Sequence, residues 1–122
     1  MFKFRVDDQK KLVYLEVSGL MSVEEADKLS DELLANASAA RRRFGSFRVL
    51  VDGRQSPVQP AATMARYKSP QEVLDTEEDR YAIVVGSMLS KLQTDRSFDD
   101  DRIGVFLELD SAEAWLLSDL PS

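Results

Sequence analysis

The sequence predicts an α/β fold with one mixed five-stranded sheet and four to five helices. Residues 81–87 form an apolar run rich in β-branched side chains, which is typical of an interior strand covered on both faces. Two alternating segments at the N-terminus predict a hairpin, and helical segments separate the later strands. The predicted order is therefore β-β-α-β-α-β-α-β-α.

The hairpin is predicted from hydrophobic alternation. Apolar residues occupy every second position of segments 2–6 and 13–17, and the polar turn 8–11 lies between them. Two such segments joined by a short turn form antiparallel strands. The hairpin also has an exposed face, which could pair two chains into a homodimer.

The first helix is predicted from a capping box, in which Ser22 and Glu25 satisfy each other's backbone donors. Its apolar residues recur at helical spacing and form one buried stripe: Val23, Ala26, Leu29, Leu33 and Ala37. The basic residues 41–43 precede Gly45 at the end of this helix. We interpret them as a solvated cap that complements the helix dipole, with an anion-binding or partner-binding patch as the alternative.

The centre of the chain alternates between strands and helices. We expect a third strand at 47–52, helical segments at 61–67 and from Pro70 to Leu74, and a solvent-exposed acidic turn at 75–79. The Ser-Pro pairs at 56–57 and 69–70 are helix-entry signatures.

The C-terminal third contributes two strands and two helices. After the apolar run, Ser87 is predicted to cap a helix at 88–94, a fifth strand follows at 102–107, and Asp110 and Ser111 cap the last helix. We expect Trp115, Met64 and Met88 to pack in the core.

Composition limits the function classes. The 122 residues suffice for a single domain, 1–122, and no apolar run approaches the roughly 20 residues of a membrane span. The chain has no cysteine and no histidine, which excludes disulfides, Cys/His zinc sites and imidazole catalysis. A net charge of −6 argues against nucleic acid as a partner. We therefore expect a cytoplasmic, non-enzymatic protein without a cofactor or metal.

A ligand site is expected at the carboxyl ends of the strands, because helix N-termini there expose unpaired N–H groups. The stretches at these ends are 52–56, 86–87 and 108–111. We expect a ligand at Asp52, Arg54, Ser56, Gly86 and Ser87, in which Arg54, the Ser56 hydroxyl and the backbone of Gly86 and Ser87 hold an anionic group. Ordinary turn and capping chemistry is the alternative for the same residues. The acidic run 99–101 lacks the ligand spacing of a calcium loop and is interpreted as a solvated loop.

Several segments carry a resemblance to a known family. The hairpin end VSG at 17–19, the helix start SVEEA at 22–26, the strand VLVD at 49–52, the stretch AIVVGSMLSKLQ at 82–93 and the segment 105–116 resemble the SpoIIAA-like proteins of bacteria. The resemblance implies a STAS-like fold, which is related to anti-anti-sigma factors and is grouped with CRAL-TRIO lipid-binding domains. It implies a binding or regulatory module that acts through an unknown protein partner or a small ligand, with apolar ligand binding as an alternative.

A phosphorylation switch is a further alternative. Anti-anti-sigma factors carry a phosphorylatable serine in an Asp-Ser-Ser-Gly-like turn after the third strand, where this chain has DGRQSP at 52–57. The motif is not kept, and Ser56 is a displaced candidate for modification. Asp52 and Ser87 also resemble, in their positions after the third and fourth strands, the phosphoacceptor and hydroxyl residues of response-regulator receivers. The acidic pair and the lysine of receivers are missing.

Overall fold

The structure, a computed structural model, describes residues 1–56, 61–66 and 70–118, and the expectations for 57–60, Tyr67, Ser69 and the Met64 side chain lie outside what it describes. The strands are β1 (Phe2–Asp7), β2 (Leu12–Ser18), β3 (Arg48–Gln55), β4 (Arg80–Val84) and β5 (Ile103–Phe106). The helices are α1 (Val23–Phe44), α2 (Ala61–Met64), α3 (Pro70–Val73), α4 (Met88–Ser97) and α5 (Leu109–Leu117).

The strands form one sheet in the order β1-β2-β3-β4-β5. The β1 and β2 strands are antiparallel, and every later neighbour is parallel, so the predicted mixed five-stranded sheet is confirmed. The β4 strand lies between β3 and β5, which confirms that the apolar run from residue 81 is interior. Each parallel connection passes through helix, as the sequence pattern predicts.

The two faces of the sheet bury two separate clusters, because successive strand residues point to opposite sides. One cluster lies between the sheet and α1 and contains Val13, Leu15, Leu29, Leu33, Ala37, Phe47, Val49 and Tyr81. The other lies under α5 and contains Leu12, Leu50, Ala82, Val84, Ala112 and Leu116. The predicted α1 stripe is thus largely confirmed. Trp115 packs beside this second cluster, with its ring 5.5 Å from that of Phe106, as expected.

The predicted serine cap is found at the start of α1, whereas the predicted caps of α5 are not found. The Ser22 hydroxyl accepts a hydrogen bond from the Glu25 amide at 3.1 Å, and Gly45 ends α1 in the left-handed region. By contrast, α5 begins at Leu109 after Glu108, without a side-chain cap hydrogen bond, so the predicted Asp110 and Ser111 caps are wrong. Two residues separate the helix from β5, and Asp110 lies inside its first turn.

The third strand runs further than predicted, to Gln55 instead of Asp52. A register shift between Glu16 and Ser18 lets β2 keep pairing with β3, and Ser18 is the partner of Gln55. Arg54 therefore belongs to β3 instead of a loop after the strand.

The acidic turn at 75–79 was expected in solvent, and this expectation is wrong for Asp79, whose side chain is fully buried. Its carboxylate accepts from the Phe47 amide at 2.8 Å and from the Arg41 Nη2 at 2.8 Å. The amides of Asp75 and Thr76 and the Thr76 hydroxyl are further donors. Arg41 is therefore a partner of a buried carboxylate, not a solvated cap.

The pKa of Asp79 reflects these hydrogen bonds. Burial raises it, but the hydrogen bonds from Phe47, Arg41, Asp75 and Thr76 outweigh burial and lower the pKa to about 2. The ionised carboxylate is therefore the form that the fold stabilises.

Acid should lower the free energy of unfolding by protonating the Asp79 carboxylate. The folded-state pKa of Asp79 lies below the value of 3.8 for a free side chain, so its contribution is present above about pH 4 and is lost as the pH falls towards 2. We expect that contribution to be about 2 kcal/mol. Urea unfolding at neutral pH and near pH 2.5 measures it. An equal acid loss in the wild type and in Asp79→Asn would contradict the assignment to Asp79.

A membrane span is not found in the part of the chain that the structure describes, where no helix combines the required length with sufficient apolar character. Even α1, at 22 residues, has polar and charged residues along one side.

Candidate functional site

The rim at the carboxyl ends of the strands contains an internal ion pair. The Arg54 guanidinium donates to both carboxylate oxygens of Asp52, with Nε to Oδ1 and Nη2 to Oδ2 distances of 2.9 Å. The Arg54 amide also donates to Asp52 Oδ1 at 3.2 Å. These hydrogen bonds hold the pKa of the Asp52 carboxyl below its usual range. An external anion would have to compete with Asp52 for Arg54.

The ends of β3 and β4 are in contact at this rim. A Cβ added to Gly86 would lie 3.3 Å from the carbonyl oxygen of Arg54, so glycine permits the close approach. Ser87 is the N-cap of α4, as predicted, and its hydroxyl oxygen accepts from the Ser90 amide at 3.1 Å. The structure therefore brings Arg54 and Gly86 together, while the Ser87 hydroxyl is used in capping.

Ser56 and Asp52 are the candidate phosphorylation sites. Ser56 is half-buried just after β3, and its amide donates to the carbonyl of Gly53 at 3.1 Å. Both oxygens of Asp52 are hydrogen-bonded by Arg54, which would have to move before the carboxylate could react. This geometry does not strengthen the phosphorylation hypothesis for either residue.

The α4 helix exposes its apolar side chains. Met88, Leu89 and Leu92 are 57%, 66% and 47% exposed, and no α4 side chain that the structure describes is buried. The expectation that Met88 packs in the core is therefore wrong. The helix packs beside the short edge strand β5, which offers it little surface to cover.

A groove of about 320 Å³ lies on the α5 face of the sheet. The α5 helix packs on β3, β4 and β5, so the hairpin half of this face is left open. The lining residues come from the hairpin, from β3 and from the first half of α5: Lys3, Arg5, Asp7, Lys10, Tyr14, Leu15, Glu16, Leu50, Asp52, Leu109, Asp110 and Glu113. The groove thus combines Asp52 of the predicted site and Asp110 of the predicted 108–111 stretch with residues that were not predicted.

Internal contacts organise one end of the groove. Lys10 forms a salt bridge with Glu113, whose hydrogen bond raises the pKa of the lysine. The Arg5 guanidinium lies 4.0 Å from the ring centre of Tyr14. Burial, together with the nearby Glu113 charge, raises the pKa of Tyr14, which keeps its phenol neutral and able to donate a hydrogen bond. The groove offers charged and phenolic groups for binding.

Sequence reasoning missed Lys3, Arg5, Tyr14 and Glu16 because it treated them only as the polar half of an alternating pattern. The pattern does place all four on one face of the hairpin. The missing information was that a nine-residue α5 is too small to cover the whole sheet. Comparing the length of the last helix with the width of five strands could have indicated the open half.

No group of three or more acidic side chains suited to a metal ion is found among the residues with described positions. In the acidic run 99–101, Asp100 pairs with Arg102 through Nε at 3.0 Å and Nη2 at 2.7 Å, so this carboxylate has a partner within the chain.

Comparisons with protein-family models, with curated proteins and with solved structures found no match.

Proposed function

We propose that this chain is a non-enzymatic, STAS-like binding module that acts by contact with another protein. The observation that carries the proposal is the exposed apolar face of α4, formed by Met88, Leu89 and Leu92. The resemblance to SpoIIAA-like proteins supports the same class of function. The α4 face begins at the rim where Arg54 and Gly86 meet, which joins it to the predicted site.

The α4 face is suited to a partner because the helix is already formed. Ser87 caps its first turn, and Lys91 pairs with Asp95 one turn later at 3.0 Å. The three apolar side chains occupy positions i, i+1 and i+4, which places them on one side. Fully burying one such side chain contributes about 1.5–3 kcal/mol, so a partner that covers three gains substantially without having to order the helix.

The lipid-binding alternative has weaker support. A site for an apolar ligand is lined mainly by hydrophobic and aromatic side chains. Eight of the twelve residues that line the groove are charged instead: Lys3, Arg5, Asp7, Lys10, Glu16, Asp52, Asp110 and Glu113.

The α4 proposal predicts a selective loss of binding. We expect the triple variant Met88→Gln/Leu89→Gln/Leu92→Gln to capture its specific protein partner at least about tenfold less well than the wild type. Affinity capture from the lysate of the source organism, quantified by mass spectrometry, measures this ratio.

A matched control has three glutamines at scattered exposed leucines, Leu20, Leu34 and Leu117. This variant removes a similar amount of apolar surface and should retain the partner. Equal capture by both variants, or no protein captured above the blank resin, would contradict the proposal. If light scattering showed a wild-type homodimer that the α4 variant dissociates, the surface would bind a second copy and not a different protein.

A further inference from the structure

The groove on the α5 face carries opposite charges at its two sides. The β1 side carries Lys3 and Arg5, while the floor and the α5 side carry Glu16, Asp52 and Asp110. This surface is separate from the α4 face, since none of the described α4 side chains lines it. Ligand binding in the groove would therefore be a second property of the chain, independent of the proposed protein contact at α4.

The strand register explains the arrangement. Lys3 is the partner of Glu16, and Glu16 is the partner of Asp52, so the three positions form a row across β1, β2 and β3. Neighbouring strands are about 4.8 Å apart, so the row spans about 10 Å from its basic to its acidic end. Asp52 has Arg54 as its counter-ion, so Glu16 is the carboxylate of this row that forms no ion pair among the described residues. In the next row, Arg5 is the partner of Tyr14.

The groove contains both satisfied and unsatisfied charges. Lys10 pairs with Glu113, and Asp52 pairs with Arg54 at the rim. Within the part of the chain that is described, Lys3, Arg5, Glu16 and Asp110 form no ion pair. Although Lys3 and Glu16 are cross-strand partners, their side chains form no salt bridge with each other. Asp7 on β1 also forms no ion pair, but its carboxylate accepts from the amides of Gln9 and Lys10. The other described groups without an ion pair are two cations on one side of the groove and two carboxylates on the other.

We propose that this groove binds a small zwitterion, a molecule that carries one ammonium and one carboxylate group. The ammonium faces Glu16 and Asp110, whose carboxylates form no ion pair among the described residues, and the carboxylate faces Lys3 and Arg5. The neutral phenol of Tyr14 donates a further hydrogen bond. The apolar atoms of the ligand rest on Leu50 and Leu109.

The size of the groove agrees with this ligand class. Its 320 Å³ is near the lower end of ligand pockets, and it would hold about ten water molecules. A free amino acid or an ω-amino acid fits this space, whereas a lipid or a dinucleotide does not. A purely anionic ligand would lie against the carboxylates of Glu16 and Asp110, and a purely cationic one would leave Lys3 and Arg5 without an ion-pair partner.

The test uses zwitterions with different charge spacing and their single-charge analogues. The zwitterions are glycine, leucine, 4-aminobutyrate and 6-aminohexanoate, and the analogues are the amine and the carboxylate of matched length. We expect at least one zwitterion to shift the amide resonances of Tyr14 and Glu16 saturably in NMR titrations, with a Kd of about 1 mM or tighter. Its analogues should bind at least about tenfold more weakly, because each lacks one charge-assisted contact.

Variants locate the binding. Lys3→Gln and Glu16→Gln should each weaken the zwitterion about tenfold, since each removes one of the two opposite charges. The controls Glu24→Gln and Lys28→Gln remove the same charges from exposed positions on α1 and should leave the Kd unchanged. All four side chains are exposed, so the fold should be retained, and the amide spectrum of each variant checks this directly.

Three results would overturn the proposal. The first is the absence of a saturable shift with all four zwitterions up to about 10 mM. The second is equal binding of an amine or a carboxylate analogue, which would reduce the groove to a simple charged surface. The third is equal weakening by the α1 controls, which would place the binding elsewhere.

Discussion

Replacing Asp79 with asparagine is expected to lower the free energy of unfolding by about 3–5 kcal/mol, the range for breaking a buried ion pair. The Asp79 carboxylate is fully buried and accepts hydrogen bonds from the side chain of Arg41, three backbone amides and the hydroxyl of Thr76. Asparagine keeps the shape, but it turns an NH₂ group towards these donors and leaves Arg41 without its counter-ion. Urea unfolding at neutral pH, followed by circular dichroism, measures the change.

The control for Asp79 is the exposed pair between Arg43 and Asp8, whose nitrogen and oxygen atoms lie 2.9 Å apart. Both side chains are more than half exposed, so Asp8→Asn should change the free energy of unfolding by less than about 1 kcal/mol. The two substitutions alter the same chemical group and differ in burial. A loss below about 1 kcal/mol for Asp79→Asn would show that the buried network contributes no more than a surface ion pair.

The fold was largely predictable because its signals are local. Alternation defines the hairpin, the capping box at Ser22 marks the start of α1, and the β-branched run from residue 81 marks an interior strand. Each of these patterns depends on residues within a few positions of one another. The errors at Gln55 and Asp110 have a different source, since strand length and helix start there depend on pairing with β2 and on the shortness of β5.

The burial of Asp79 could not be predicted from local pattern. Its sequence context, five polar residues in a row, is typical of a solvent-exposed turn. Its partners Phe47 and Arg41 are 32 and 38 positions away and meet it only when α1, β3 and β4 are assembled. A charge that is satisfied by distant donors leaves no signature in its own neighbourhood.

The candidate site was partly predictable for a similar reason. The rule that ligands bind at the carboxyl ends of strands pointed to Asp52 and Gly86, and the structure places Arg54 in contact with both of these residues. It could not show that Arg54 folds back onto Asp52, because rotamers and register decide that contact. It also could not show the groove, which exists because α5 leaves the hairpin half of one face uncovered.

The α5 helix therefore determines both a core and the shape of the groove. Its sheet-facing side adds Ala112 and Leu116 to the second buried cluster. Its first two turns form one wall of the groove through Leu109, Asp110 and Glu113. A substitution that loosens the helix should affect stability and the groove together.

Leu116→Ala is expected to lower the free energy of unfolding by about 2–5 kcal/mol. The Leu116 side chain is fully buried on the sheet-facing side of α5, in one cluster with Leu12, Leu50 and Val84. The loss combines the missing apolar burial with the cavity that remains. Leu117→Ala is the matched control on the same helix, and its exposed side chain should make the change smaller than about 0.5 kcal/mol. Urea unfolding should show a lower midpoint at an unchanged m value for Leu116→Ala. Equal losses for both leucines would mean that α5 does not pack on the sheet through this side, and the wall of the groove would then be misplaced as well.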